Sequence, residues 1–336
     1  MNTFNSKQTG FSVVEIMVAL ALSLIILAGV MHIFINNKQT YRVQEAFARL
    51  QENGRFAMQM ITKDLRMAGF MGCASSITSP HNIVNLDGIA GADDVAGFQG
   101  NGLEGFEYSD LPINLNSTLQ LTTGNVVPGT DIVRIKRGSN TGIYLTGPMN
   151  SLNSQLKLPP ALASGVFNTD DILLVTDCEH ADTFAASNVT TVGAYVEITH
   201  DATNNTVAPL LSTIYKDDAE VMKMVNRTYY IRNNAAGVPS LYRTSMGNAA
   251  NMTAEEMVEG IEDMQLLYGE DNDGDGTPNR YIDSSAVLDW NNIVSVRIEL
   301  QVRSVEDNVA SRMTAYGDRK LRRTFTTSIA IRNRVT

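Results

Sequence analysis

Residues 11–35 read FSVVEIMVALALSLIILAGVMHIFI, twenty-five positions with a single charge at Glu15. A helix of that length rises roughly 37 Å, enough to cross the hydrocarbon core of a bilayer. No proline occurs before Pro80, so nothing in the run breaks a helix. A secretory signal places its cleavage site after the apolar run, beside small residues. Here a polar leader, MNTFNSKQTG at residues 1–10, precedes the run and ends in glycine. Gly10 leaves the backbone open to a protease, and a cut after it makes Phe11 the new N-terminus.

Glu15 is the costly residue in this run. On insertion scales a carboxylate at the centre of a membrane helix costs about 2.5–3.5 kcal/mol. Near the end of the run it has two outlets. It snorkels to the headgroups, or it pairs with the amine that cleavage creates, its own or a neighbour's. A pair between subunits neutralises two charges and sets their register.

Gly10, Phe11 and Glu15, followed by about twenty apolar positions, resemble the class III signal of type IV pilins and of the pseudopilins of type II secretion. The resemblance implies that Gly10–Phe11 is the prepilin peptidase site, that Phe11 is N-methylated, and that Glu15 directs assembly into a filament. The flanking charges argue the other way on orientation. Lys38, Arg42 and Arg49 follow the span, and Lys7 alone precedes it. Long domains translocate largely regardless of such counts. The expectation is therefore an anchor in the bacterial inner membrane with the C-terminal domain in the periplasm.

From 36 to about 70 the pattern becomes amphipathic. Val43, Phe47, Leu50, Ala57, Ile61, Leu65 and Ala68 recur at spacings of three and four, with Gly54 interrupting them. This predicts a helix continuing to about Ala68 and ending at Gly69 and Gly72. The stripe covers too few heptads for a long coiled coil and predicts packing on the chain's own sheet.

After Gly72 the texture is β-like. Val294–Val302 alternates strictly, and Thr324–Arg332 alternates with Phe325, Ile329 and Ile331 on one side. Ile132–Ile135 and Ile172–Thr176 read as short buried strands. Arg227–Arg232 and Ser240–Arg243 flank an Asn-Asn-Ala-Ala-Gly turn and read as a hairpin. Asn85–Asn125 reads as long loops. The expected class is α+β: a long N-terminal pilin helix, transmembrane and then amphipathic, packed on an antiparallel sheet. The expected division is a leader at 1–10, a transmembrane half at 11–35, an amphipathic half at 36–70 and a globular domain at 71–336.

The net charge of −10 argues against direct nucleic-acid binding, where basic surface supplies most of the affinity. Two cysteines, Cys73 and Cys178, fit one disulfide in an oxidising compartment or two thiols in a reducing one. With the domain outside the cytoplasm the expectation is a bond. It would tie the end of the long helix to the strand ending at Thr176 and contribute about 4–5 kcal/mol in the loop-entropy model.

Further runs narrow the resemblance. QEAFARLQENGRFAMQMITKDLRMAGFMGC, TDC at Thr176–Cys178, GIEDMQLLYG at Gly260–Gly269, DNDGDGTPNRY at Asp271–Tyr281 and LRRTFTTSIAIRNR at Leu321–Arg334 are similar to PilW-type minor pilins. Residues from about 75 to 165 match little. The resemblance implies a non-enzymatic, low-abundance pilus subunit. It would join other minor pilins and the major pilin, prime assembly, and sit at the pilus tip beside a tip-associated adhesin, in support of twitching, adhesion or DNA uptake. A minor pseudopilin of type II secretion is the alternative, and a membrane-anchored periplasmic enzyme a more distant one.

One segment suggests an ion. Asp271, Asp273 and Asp275, with Gly274 and Gly276, resemble the start of an EF-hand loop and make calcium the cofactor candidate. The twelfth position is Ile282 instead of glutamate, and Asp283 follows it. The competing reading is a solvated acidic turn between strands. His180 beside Cys178 suggests a Cys-His nucleophile only if the thiol is free. Gly100–Gly105 lacks the lysine of a phosphate loop. Arg319, Lys320, Arg322 and Arg323 form a basic run, read as a polar edge leading into the last strand, with contact to a partner subunit's acids or to DNA as the alternatives.

Overall fold

The computed structural model describes residues 10–74, 77, 79–85, 102–110, 121, 125–140, 142–246, 252–310 and 312–334. The leader at 1–9 and much of the stretch expected as loops lie outside the described residues. One helix, α1, runs unbroken from Val13 to Arg66. The chain forms two compact units. One contains residues up to Arg49 together with Glu306–Leu321; the other contains Leu50–Val305 and Arg322 onward.

In the first unit, α1 meets the excursion at Glu306–Leu321. Arg49 bridges Glu45 at 2.8 Å and Glu306 at 3.1 Å, and the Gln39 amide donates to the Val309 carbonyl. Lys320 pairs with Asp307 at 2.8 Å.

The larger unit holds three sheets. Sixteen strands are named in chain order. β1 (His81–Asn82), β2 (Leu103–Phe106), β3 (Ile132–Gly138), β4 (Ile143–Tyr144), β6 (Ile172–Thr176), β7 (Ala181–Ala185), β10 (Glu220–Asn233), β11 (Pro239–Met246) and β12 (Met252–Glu259) form a nine-stranded sheet. β5 (Leu156–Leu158), β8 (Asn188–Val192) and β9 (Tyr195–Thr199) form a three-stranded one. β13 (Ile261–Glu270), β14 (Arg280–Ile282), β15 (Ile293–Arg303) and β16 (Arg322–Ala330) form the third, in the order β14-β13-β15-β16. Every pairing is antiparallel except β1 with β7.

β10 is the axis of the large sheet. Its first residues pair with β4 and β6, and its later ones with β3 and β11. β6 is buried along its whole length because both faces are covered. Leu173 and Val175 join a core with Leu156, Leu158, Val196 and Ile198, while Ile172 and Leu174 pack with Met71, Met222 and Met224. Cover on both faces gives a continuous apolar run in place of alternation.

The four strands and the hairpin expected from periodicity form where expected, with β15 and β16 in register from Ser295–Ala330 to Arg303–Arg322. The loop reading at 85–125 needs correction. Leu103–Phe106 is strand β2, and Tyr108–Asp110 is a turn of 3-10 helix. Gly105 hid the strand: glycine weakens strand propensity, but here any side chain would overlap the Tyr268 ring.

The amphipathic stripe is also shifted. Phe47 is exposed and Ala46 is buried. Beyond it Leu50, Gly54, Ala57, Ile61, Asp64, Leu65 and Ala68 form the buried face. Gly54 therefore belongs to the stripe, because the Phe325 ring of β16 occupies the space a side chain would fill.

Candidate functional site

The N-terminal segment is built for a nonaqueous or subunit environment. α1 begins at Val13, and the first helical hydrogen bond runs from the Ile16 amide to the Ser12 carbonyl. Glu15 stands in its first turn, where the positive end of the helix dipole favours a carboxylate. None of the apolar run up to Ile35 is buried within the protein. By length and composition the helix is able to cross a membrane. Phe11 is 78 % exposed, and Gly10 has open space around it.

At its other end α1 is held by two devices. Asp64 is 2 % exposed. Its carboxylate accepts from Arg227 at 2.8 Å on both oxygens and from the Tyr229 hydroxyl at 2.6 Å, with Arg137 3.6 Å away. Burial, then the Asp64 charge, raise the Tyr229 hydroxyl above its ordinary pKa, so it stays a donor. Gly69 and Gly72, both at positive φ, then turn the chain into Cys73. Cys73 is bonded to Cys178, which lies in the turn after β6. The bond leaves no free cysteine among the described residues, so a Cys178–His180 nucleophile is absent. His180 instead accompanies Asp177 at 3.3 Å.

The acidic loop joins β13 to β14. Asp271, Asp273 and Asp275 place their oxygens within 4.8 Å of one another. Asp271 accepts the amides of Asp273, Gly274 and Gly276, the Asn279 amide reaches Asp273, and Asp275 accepts from Thr277. Desolvation pushes the Asp271 carboxyl up, but the Gly276 and Gly274 amides outweigh it and hold the group below the usual carboxylate range. Backbone amides thus supply positive character around Asp271. Asp283 stands apart, immediately before a 3-10 turn at Ser284–Ala286, and Ile282 belongs to β14. Together with the strands on either side, this geometry does not fit an EF-hand.

The basic run divides. Lys320 pairs with Asp307, Arg322 with Glu262 at 2.6 Å, and Arg323 lies over the Phe325 ring. Other polar clusters were missed from sequence. Asp182, fully buried, accepts from Ser212 and Tyr215 and lies 2.6 Å from His81 Nδ1. Their positions are far apart in the chain, and periodicity carries no trace of them. Asp64 had a signal: it follows Ala57 and Ile61 at spacings of four and three.

These arrangements hold a helix and present its apolar end. The family model described as Type IV Pilus-assembly protein W matches residues 228–333, which span the end of the hairpin and the four-stranded sheet. The prokaryotic N-terminal methylation motif matches residues 5–31. The chain is thus PilW-like over residues 228–333. Over 60 residues it is 38 % identical to the pilin-like protein PilA3 of Thermus thermophilus, a stretch covering 18 % of this chain and 26 % of that relative. The match thus spans about a quarter of the relative's length. No solved structure matches. Within the PilW match lie Tyr229, the acidic loop and the β16 edge.

Proposed function

We propose that this PilW-type protein is a minor pilin that primes type IV pilus assembly and sits at or near the pilus tip. The observation that carries the reading is Glu15, one acid in the first turn of an apolar helix whose start matches the methylation motif. On this reading prepilin peptidase cuts between Gly10 and Phe11, and the new amine is methylated. Glu15 then pairs with the amine of a neighbouring subunit in the filament core. The helix anchors in the bacterial inner membrane with the globular domain in the periplasm until assembly extracts it. Other minor pilins and the major pilin are the partners, with an adhesin at the tip. No enzymatic step is assigned to the chain.

Replacing Glu15 with alanine leaves leader cleavage intact and removes the protein from sheared pili; normal incorporation would show that Glu15 only snorkels. Deleting the gene reduces surface piliation and twitching. Intact pili with lost protein secretion would assign the chain to a type II secretion system instead.

A further inference from the structure

The four-stranded sheet ends at β16, whose outer edge pairs with no strand among the described residues. Between that edge and α1 lies a groove of about 950 Å³. Arg55, Lys63 and Arg66 line it from α1, and Arg323 and Arg332 line it from β16 and the turn beyond. No carboxylate lines it among the described residues. The Arg55, Lys63, Arg66 and Arg332 side chains are exposed and make no ion pair or hydrogen bond among the described residues. Met58, Met67 and Phe325 supply apolar surface.

Cations gathered in a groove that no carboxylate lines repel one another, and they do so in a chain of net charge −10. Charges that merely guard an open edge sit on the strand itself. Here three of the five stand on the helix across the groove.

We infer that the groove takes an extended acidic segment of a different protein chain, added as a further strand on the β16 edge. Strand addition draws affinity from backbone hydrogen bonds and specificity from alternate side chains. One set of side chains in an added strand faces the methionines and Phe325, and acids beside them meet the arginines. A nucleic-acid backbone matches the charge but leaves the strand edge and the apolar surface unused. A second copy of this chain is disfavoured as the donor. Its own acidic edge strand, β12, has Glu255 on Arg243 at 3.1 Å and Glu256 on Asn234 at 2.9 Å. The inference stands apart from the role of Glu15.

The test uses the full chain in detergent micelles and a fluorescent, short, alternating Glu-Val peptide read by anisotropy. The wild type binds the peptide, and the double variant Arg55→Glu, Arg332→Glu weakens binding by about tenfold or more. A peptide N-methylated at alternate backbone amides loses binding as well, while an alternating Lys-Val peptide never binds. Both substituted residues are exposed, and an unchanged circular-dichroism melt verifies the fold of the variant. Absence of binding to the wild type, or equal binding to the double variant, overturns the inference. Undiminished binding of the N-methylated peptide overturns strand addition. Tighter binding of single-stranded DNA with the same arginine dependence overturns it in favour of nucleic acid. Self-association abolished by the reversals overturns it in favour of a second copy.

Discussion

The Tyr229 hydroxyl donates to Asp64 across 2.6 Å, joining the last turns of α1 to the central strand of the large sheet. The carboxylate also accepts from Arg227 Nη1 on both of its oxygens. Removing one member of a buried charged pair leaves the other desolvated and unpaired. Asp64→Ala is therefore expected to lower unfolding stability by about 3 kcal/mol. Tyr229→Phe, which removes one neutral donor, costs about 1 kcal/mol. Urea unfolding of the purified chain measures both, and equal effects would contradict the ranking.

Gly54 and Phe325 make a second link, in which shape decides the sign. A methyl at residue 54 overlaps the Phe325 ring. Gly54→Ala is expected to destabilise by about 1–3 kcal/mol through overpacking. In a Phe325→Ala background the same change becomes stabilising by up to about 1 kcal/mol, the helix propensity gained. A double-mutant cycle in urea reads the reversal.

The Cys73–Cys178 bond closes a separation of 105 residues. In the loop-entropy model its loss costs about 4–5 kcal/mol. A Cys73→Ser, Cys178→Ser variant is expected to melt well below the oxidised wild type and to be indifferent to reductant. Melts with and without dithiothreitol check this.

Asp131 gives the domain a pH dependence of unusual sign. Burial, opposed by the Leu266 amide and reinforced by Glu107, pushes its carboxyl up to about 8. The folded chain therefore keeps a proton that the unfolded chain releases near pH 4. The stabilisation is complete below the unfolded value and is lost as pH rises through about 8. Asp131→Asn retains an acceptor for the Leu266 amide and removes the titration. Its stability relative to the wild type is expected to increase between pH 5 and pH 9, measured as the difference in urea midpoints.

The fold was legible wherever one face of an element is wet. β15 alternates because Arg297 and Glu299 are exposed while Val296, Ile298 and Leu300 are buried. The hairpin at β10–β11 was legible because its turn residues are local. β2 was not, because its Gly105 is dictated by Tyr268, far along the chain. Gly10, Phe11 and Glu15 lie close together in sequence, within the matched methylation motif, so a motif there is readable locally. The groove is not, because its cations come from α1 and from the chain around β16, and only packing of the helix against that sheet brings them together. In the acidic loop the sequence shows the carboxylates that the fold brings together, but not the backbone amides that the turn aims at them.

Gly54 is synthesised well before Phe325. The helix face that contains Leu50, Ala57 and Ile61 has its cover completed only after β16 has been made. Its folding is thus constrained by the order of delivery. Until β16 arrives, that apolar stripe stays uncovered and open to wrong partners. A chain interrupted before β16 is expected to keep that stripe exposed, which makes β16 a checkpoint on folding as well as a structural element.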